Sequence, residues 1–214
     1  MTTKTEGRYI ISVDGHVLHK LHCISHAASK DEARWQIGSV AILPNGLAIA
    51  TDGKLIAFAR VPDWDFHKEI VIPASVLRKL KIKKSLRDDL YSIEVITPDD
   101  ARDRILIQDE TGRIESELLR CKYPNVEPLI DDAVNGSDAR SYVHLCPRRV
   151  GMIPKILDDK DGTSTRYSTR GANNPAWFHN YLNGIICGLM PYVDKSASKS
   201  CDHSALVREY EGIA

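Results

Sequence analysis

The sequence has no long apolar run and no excess of charge of either sign. No stretch approaches the roughly 20 consecutive apolar residues that a membrane-spanning helix needs, and residues 1–7 are polar. We therefore expect neither contact with a membrane nor a secretory signal, and a cytoplasmic location follows by default. The 29 basic and 29 acidic residues cancel, which excludes a wholly basic nucleic-acid-binding protein but allows a local basic surface.

Paired cysteine motifs and the common catalytic motifs are also missing. The five cysteines lie far apart, their number is odd and no Cys-x-x-Cys occurs, so we expect reduced thiols rather than disulfides or a zinc knuckle. There is no glycine-rich phosphate loop, no Gly-x-Ser-x-Gly and no His-Glu-x-x-His. The carboxylate pairs at 99–100 and 158–159 have no companion histidine, and Asp131-Asp132 is interpreted as a linker. We expect a protein that is not an enzyme and binds no cofactor.

One predicted helix face carries side chains of the kind that bind metals. His19, Cys23 and His26 are spaced i, i+4 and i+7, which places three candidate ligands on one side of a helix. No carboxylate close in sequence would orient them, and the spacing matches no known zinc motif. We interpret the three residues as a polar helix face, and we keep a small metal-dependent enzyme as a remote alternative.

The chain repeats one structural pattern. Residues 11–21 and 70–80 both begin with a β-branched run, pass a small residue or proline, and continue with helical spacing. The motif Val-Leu-x-Lys-Leu recurs in register at 17–21 and 76–80, and a weaker third copy begins at Tyr142. Strand-like stretches and turns follow each helix. The predicted fold class is α+β, built from repeated units of one helix plus about four antiparallel strands.

The repeat also predicts the domains. Units at 9–65 and 69–131 form one complete domain at residues 8–132, and residues 140–193 form a third unit whose helix is weakened by Gly151 and Pro154. Residues 194–214 are predicted to be a flexible tail. An unpaired third unit would expose a sheet edge. We therefore expect that edge to pair with another chain, or the fold to close differently.

Basic residues gather on the predicted outer faces of the helices. No acidic residue interrupts the six basic residues between positions 78 and 87. Such a stripe suits contacts with the phosphate backbone that read no bases, although a solvated helix face is the simpler alternative. The candidate DNA-facing residues are Lys20, Arg78, Lys79, Lys81, Lys83, Lys84, Arg87, Arg148 and Arg149.

Four short segments, in order, resemble a known family. They are Ala-Thr-Asp-Gly-Lys-Leu at 50–55, Ile-Val-Ile-Pro at 70–73, Cys-Lys-Tyr-Pro-Asn at 121–125 and Leu-Met-Pro-Tyr-Val at 189–193. On a repeat of helix plus strands, they resemble the bacterial sliding clamp, the beta subunit of DNA polymerase III. The chain departs from the family at Lys54, where the family has histidine, and at 192–193, where it has Met-Arg. The resemblance is to a shortened or divergent member, with three units where the usual subunit has three two-unit domains.

This resemblance implies a DNA-clamp fold and a processivity or tethering factor. Family rings hold duplex DNA by shape and charge, and they dock DNA polymerases, clamp loaders and repair proteins through a pocket for a short peptide. Homo-oligomers are expected, because a ring of twelve units would need four chains. The pocket residues map to Ile37, Thr51, Gly53, Lys54, Leu55, Pro124, Leu129, Met190, Pro191 and Tyr192.

Two alternatives remain open at this point. Missing half-domains favour a clamp-derived adaptor that keeps the peptide pocket but no longer encircles DNA. Among the pocket residues, Ile37, Leu55, Leu129 and Met190 could equally be plain core residues, and Gly53 could simply serve a turn with positive φ.

Overall fold

The structure, a computed structural model, describes residues 2–5, 7–98, 102–109, 112–135, 145–159, 161–169 and 174–191. Its helices are short, and 3₁₀ turns lie at Glu32–Arg34 and Lys84–Leu86. The helices are α1 (Gly15–Ser25), α2 (Ala74–Leu77), α3 (Glu127–Asn135), α4 (Pro147–Val150) and α5 (Ile153–Leu157). The strands are β1 (Thr2–Thr5), β2 (Arg8–Asp14), β3 (Ser39–Ile42), β4 (Leu47–Thr51), β5 (Leu55–Arg60), β6 (Ile70–Pro73), β7 (Leu90–Ile96), β8 (Arg104–Asp109), β9 (Gly112–Glu117), β10 (Thr165–Thr169), β11 (Ala176–Asn180) and β12 (Ile185–Leu189).

The strands form two antiparallel sheets, in the orders β1-β2-β7-β8-β9 and β10-β11-β12-β5-β4-β3-β6. Strand β2 pairs with β7 from Arg8 opposite Ile96 to Asp14 opposite Leu90, and β6 pairs with β3. The first two units therefore exchange their first strands, so that neither sheet is complete without the other unit. This architecture confirms the predicted α+β class with antiparallel strands and helices.

The third unit completes the first unit's sheet from within the chain. Strand β12 pairs with β5, with Leu189 opposite Leu55 and Ile186 opposite Phe58, and α5 packs beside α1. The predicted third helix is broken: α4 ends before Gly151, and Pro154 lies in the first turn of α5. The third unit, which was predicted to expose a sheet edge, therefore pairs through β12 with the chain's own β5.

Two hydrophobic cores lie on opposite faces of the seven-stranded sheet. The larger one packs the helices against both sheets, with Ile11, Leu18 and Leu77 fully buried. The smaller one is covered by α3 and the segment before it, where Tyr123 and Val126 contact outward-facing strand residues. This double cover explains why β3 is buried at every position, as expected for a central strand covered on both faces.

Two predictions from the sequence are wrong. Asp131-Asp132 is not a linker, because both residues lie in α3 and Asp132 Oδ2 accepts a hydrogen bond from Trp177 Nε1 at 2.7 Å. The second helix does not run through the basic segment but ends at Leu77. A helix there would place like charges one turn apart, which is unfavourable, and the Arg78 guanidinium instead binds back to carbonyl groups at the end of α1.

None of the helices in the described residues is long and apolar enough to cross a membrane.

Candidate functional site

The basic segment lies on the loop between α2 and β7 rather than on a helix face. Its lysines are exposed, while Lys20 on α1 is half-buried and Arg148 on α4 is exposed. The four exposed lysines of this loop, named the lysine loop below, are Lys79, Lys81, Lys83 and Lys84.

Three of the predicted DNA-facing arginines are bound to internal partners. Arg78 Nη2 donates to the carbonyl oxygens of Ser25 at 2.8 Å and Ala28 at 3.0 Å, and burial lowers its pKa. Arg87 pairs with Asp158, and Arg149 pairs with Asp52. These guanidinium groups join parts of the chain to one another, so we assign them a structural role and keep the other six basic residues as DNA-facing candidates.

One polar network joins all three units. Arg87 of the second unit donates to His19 Nε2 in α1 at 2.7 Å and to Asp158 Oδ2, just after α5, at 3.0 Å. Asp158 Oδ2 lies 2.9 Å from His19 Nε2, and its backbone is left-handed with φ of 52°. Burial lowers the pKa of His19, and the neighbouring Asp158 carboxylate acts in the opposite direction.

The metal hypothesis named His19, Cys23 and His26, but the structure groups different residues. The ligand atoms of His19, Cys23 and Asp158 lie within 4.8 Å of one another, whereas His26 Nε2 lies 3.4 Å from His22 Nε2. No carboxylate lies close to these residues in the sequence, but the fold brings the carboxylate of Asp158 to them. The Arg87 guanidinium already supplies a positive charge at this carboxylate, and burial raises the pKa of the Cys23 thiol to about 12. This arrangement is an ion-pair network in the present structure.

The turn at residues 51–55 is held by its own side chains. Thr51 Oγ1 donates to the Leu55 carbonyl at 2.8 Å and accepts from the Gly53 N–H at 3.0 Å. Gly53 has φ of +85°, a conformation that favours glycine. The Met190 N–H donates to the Lys54 carbonyl at 2.8 Å. Four predicted pocket residues of this turn therefore meet the fifth, Met190, which is far away in the sequence.

The predicted pocket residues differ in burial. Leu55 is 1% exposed and belongs to the main core, as the simpler interpretation expected. Pro191 is buried, and Leu129 lies half-buried in α3 against the smaller core. Tyr192 lies outside the described residues.

Ile37 and Pro124 meet in a cleft of about 350 Å³. Trp35, which is 49% exposed, forms part of its wall. Sequence reasoning missed Trp35, although an exposed tryptophan among polar neighbours is a recognisable sign of a binding surface. The residues lining this tryptophan cleft are Ala33, Arg34, Trp35, Gln36, Ile37 and Pro124.

A second cleft, of about 250 Å³, adjoins the first through Arg34, which lines both. It lies between the end of α1, the 51–55 turn and α4. We name it the cationic cleft, and its lining residues are Ala28, Ser29, Lys30, Arg34, Asp52, Arg148, Arg149 and Met152.

Comparisons with known proteins find similarity in structure but not in sequence. No protein-family model matches the chain, and no curated protein matches its sequence. Solved structures do match. DNA polymerase III subunit beta from Borrelia burgdorferi superimposes with a TM-score of 0.63 at 11% identity, over 89% of this chain and 66% of that protein.

Two further structures agree with it. A DnaN sliding clamp from Bartonella birtlesii gives a TM-score of 0.62 at 15% identity, over 90% of this chain and 68% of that one. A DNA polymerase sliding clamp from Bacillus subtilis gives 0.60 at 17% identity, over 90% and 66%. The chain thus spans about two thirds of the length of the clamps that it matches. The resemblance drawn from the four sequence segments is confirmed, and at these identities it establishes the fold.

Proposed function

From the premise that the chain has the bacterial sliding-clamp fold, we propose that it is a non-enzymatic, clamp-like tethering factor. In this proposal it associates with duplex DNA without reading sequence, and it docks short peptide motifs of replication or repair proteins. The observation that carries the proposal is the tryptophan cleft, which is lined by two residues predicted for the peptide pocket, Ile37 and Pro124. Its Arg34 contacts the 51–55 turn through the Asp52 carbonyl oxygen.

The peptide arm follows from the chemistry of the tryptophan cleft. Trp35, Ile37 and Pro124 offer rigid apolar walls, which suit leucine or phenylalanine side chains of a short peptide. Arg34 and Gln36 supply polar groups at the edge. Such a site binds through a few apolar anchors, and different partner proteins that carry the same short motif can share it.

The DNA arm follows from local charge. The lysine loop concentrates positive charge in a protein whose total charge is zero. Phosphate contacts of this kind give weak, salt-sensitive binding that is indifferent to sequence. A tethering factor that encircles DNA needs no more than this, because topology rather than contact energy would retain it.

The experiment measures both arms by fluorescence anisotropy. A labelled peptide with a glutamine followed by leucine and phenylalanine anchors is titrated with the wild type, Trp35→Ala and Tyr181→Ala. Tyr181 is an exposed aromatic residue remote in sequence from the cleft. We expect at least tenfold weaker peptide binding for Trp35→Ala and unchanged binding for Tyr181→Ala. Equal binding by all three proteins would contradict docking at the tryptophan cleft.

Two unrelated labelled duplexes test the DNA arm at low salt. We expect both duplexes to bind equally, and at least tenfold weaker binding when all four residues of the lysine loop are changed to Glu. The matched control carries the same charge change at four exposed residues elsewhere, namely Arg60, Lys68, Arg102 and Arg113. Duplex binding that survives the lysine-loop changes would contradict this arm and favour the adaptor that keeps only the peptide pocket.

A further inference from the structure

Two histidine rings face each other at the end of α1. His22 lies in the last turn of the helix, and His26 is its C-cap residue, with a helical φ of −71°. The i, i+4 spacing puts both side chains on one side of the helix. Their Nε2 atoms lie 3.4 Å apart, whereas the ring centres are 5.0 Å apart. Because the nitrogens are closer than the ring centres, the two Nε2 atoms lie on the edges that face each other.

The backbone carbonyl of Leu77 determines which nitrogen of His22 carries the proton. Its oxygen lies 3.2 Å from His22 Nδ1, and a carbonyl oxygen can only accept a hydrogen bond, so Nδ1 is the donor. In the neutral ring this leaves Nε2 with a free lone pair. Proteins commonly orient a metal-binding histidine in this way, through a backbone carbonyl on the other ring nitrogen. The lone pair of His22 Nε2 is thus available on the edge that faces His26.

The separation of the two nitrogens is that of neighbouring ligands on one metal ion. Zinc binds histidine nitrogen at about 2.0–2.1 Å, so two such nitrogens at a tetrahedral angle lie about 3.3 Å apart. The observed 3.4 Å matches this value, and it is long for a hydrogen bond donated by an N–H group, which spans about 2.7–3.2 Å. An ion between the rings would need little movement of either side chain.

Helix α1 is a firm and accessible support for this pair. Its apolar side packs Leu18, Leu21 and Ile24 into the larger core, where all three are buried. That packing fixes the backbone that carries the rings. His22 and His26 themselves are half-buried, so a hydrated ion can reach the ring edges from solvent.

The histidine pair is distinct from the neighbouring group of His19, Cys23 and Asp158. In the described part of the chain, that group is the only set of three or more candidate ligands whose atoms lie close together. The Arg87 guanidinium donates to two of its members and already supplies a positive charge there. The pair therefore offers a metal two protein ligands, and water would fill the remaining coordination positions.

The charges around the pair indicate which class of ion it suits. Lys155 acts electrostatically on both rings, and Arg78 and Lys30 act on His26. Asp158 acts in the opposite direction on the other ring. Mg²⁺ and Ca²⁺ depend on oxygen ligands, which the pair does not supply. Imidazole suits Zn²⁺, Ni²⁺ and Cu²⁺, and the last is bound most tightly.

We propose that His22 and His26 form a binding site for a divalent transition-metal ion of the class Zn²⁺, Ni²⁺ or Cu²⁺. The ion lies between the two Nε2 atoms. The sequence suggested a metal on this helix face through His19, Cys23 and His26, and the structure keeps His26 but replaces the other two by His22. This site goes beyond the proposed function and depends on neither DNA nor peptide binding.

The experiment titrates Zn²⁺ into the chain by isothermal titration calorimetry at pH 7.5. The protein carries no histidine tag and is first stripped of metal with EDTA. We expect one ion per chain. His26→Gln should weaken binding by about tenfold or more, because changing even an outer partner of a metal ligand costs about 10–100-fold in affinity. The matched control, His67→Gln, removes an exposed histidine from a loop and should bind as the wild type does.

Cys23→Ala distinguishes the histidine pair from the neighbouring group. Cys23 is a member of that group and is buried. We expect Cys23→Ala to bind Zn²⁺ as the wild type does. Loss of binding in this variant would place the ion at the neighbouring group and overturn the proposal. Equal binding by the wild type and His26→Gln would also overturn it, because the ion would then lie elsewhere.

Urea denaturation without metal checks that the variants are folded. The wild type, His26→Gln and Cys23→Ala should each show a cooperative transition at pH 7.5. His22→Gln removes the other ligand and should weaken Zn²⁺ binding as His26→Gln does, so the test does not depend on one variant. If the wild type binds no Zn²⁺, the proposal is wrong.

Discussion

At the scale of single residues, the Arg87–Asp158 pair is the clearest link between distant parts of the chain. Its partners lie 71 residues apart, and their side chains are 17% and 26% exposed. Breaking a buried ion pair costs about 3–5 kcal/mol, whereas exposed pairs contribute about 0–1 kcal/mol. We therefore expect Arg87→Ala to lower the free energy of unfolding by about 2 kcal/mol, measured by urea denaturation.

The matched control for this pair is Arg104→Ala. Arg104 pairs with Glu115 at 2.7 Å, but both side chains are nearly half exposed, at 45% and 47%. We expect this variant to lose at most about 0.5 kcal/mol. Similar losses for Arg87→Ala and Arg104→Ala would mean that the buried network contributes no more than a surface pair.

The histidines of α1 make stability depend on pH. Burial lowers the pKa of His19 and His22, and it lowers the pKa of His26 to about 4. In the unfolded chain these rings titrate near pH 6.5, so below that pH the unfolded state takes up protons that the folded state does not. Stability is therefore complete above about pH 6.5 and is lost progressively as the pH falls toward 4.

We expect a lower urea midpoint at pH 5 than at pH 7.5, and a smaller drop for His26→Gln. The control is His67→Gln, which removes an exposed histidine from a loop and should keep the wild-type drop. A pH-independent midpoint in the wild type would contradict the effect of burial on these rings.

At the scale of elements, Gly188 in β12 allows the third unit to pack. A Cβ at Gly188 would clash with the ring of Trp177 on β11, and both residues are buried. Overpacking of this kind costs about 1–3 kcal/mol. Gly188→Ala should therefore lower the free energy of unfolding by about 2 kcal/mol in urea denaturation.

Gly151, between α4 and α5, offers the matched control for Gly188. Its φ is −63° and its backbone is helical, and a Cβ would meet the carbonyl oxygens of Pro147 at 3.6 Å and Arg148 at 3.7 Å, which is ordinary van der Waals contact. Gly151→Ala should be neutral or stabilise by up to about 1 kcal/mol. Equal losses in the two variants would show that the contact with Trp177 is not what restricts position 188.

Strands could be predicted from the sequence because their signals are local. The apolar, strand-like stretches, with Pro-Asn-Gly and Asp-Gly between them, place β3, β4 and β5 almost as observed. Local signals also identify the weak point of the third helix, since Gly151 and Pro154 disfavour a continuous helix through their own backbone. In each case the residues that decide the structure are neighbours in sequence.

Other features depended on contacts that the sequence order does not show. Apolar spacing predicts α2 past Leu77, but Arg78 binds the carbonyl groups of Ser25 and Ala28 at and just after the end of α1, 53 and 50 residues upstream. Asp132 lies in α3, whose apolar face packs against apolar side chains on one face of the seven-stranded sheet. The cationic cleft joins Lys30 to Arg148 through pairing of the first and third units. Such clefts can be identified only once the fold is known.

At the scale of the whole molecule, β10 lies at one outer edge of the seven-stranded sheet. No strand within the described ranges pairs with the outer side of β10. Tyr167 on this strand is 50% exposed, and its ring lies tilted against that of Phe178, with the ring centroids 5.0 Å apart. An exposed edge strand with an aromatic side chain favours pairing with another chain. We therefore expect the protein to associate with itself at micromolar concentrations, and the ring hypothesis expects four chains.

Light scattering across a range of concentrations measures this association as absolute mass. Tyr167→Lys places a charge on the edge, a change that natural sheets use to prevent pairing, and it should shift the mass toward the monomer. Tyr181→Lys makes the same change at an exposed tyrosine in the turn after β11 and should leave the mass unchanged. A wild-type mass that stays monomeric at every concentration would contradict ring assembly. It would leave the clamp fold to act as an adaptor, in which peptide docking rather than encirclement of DNA carries the function.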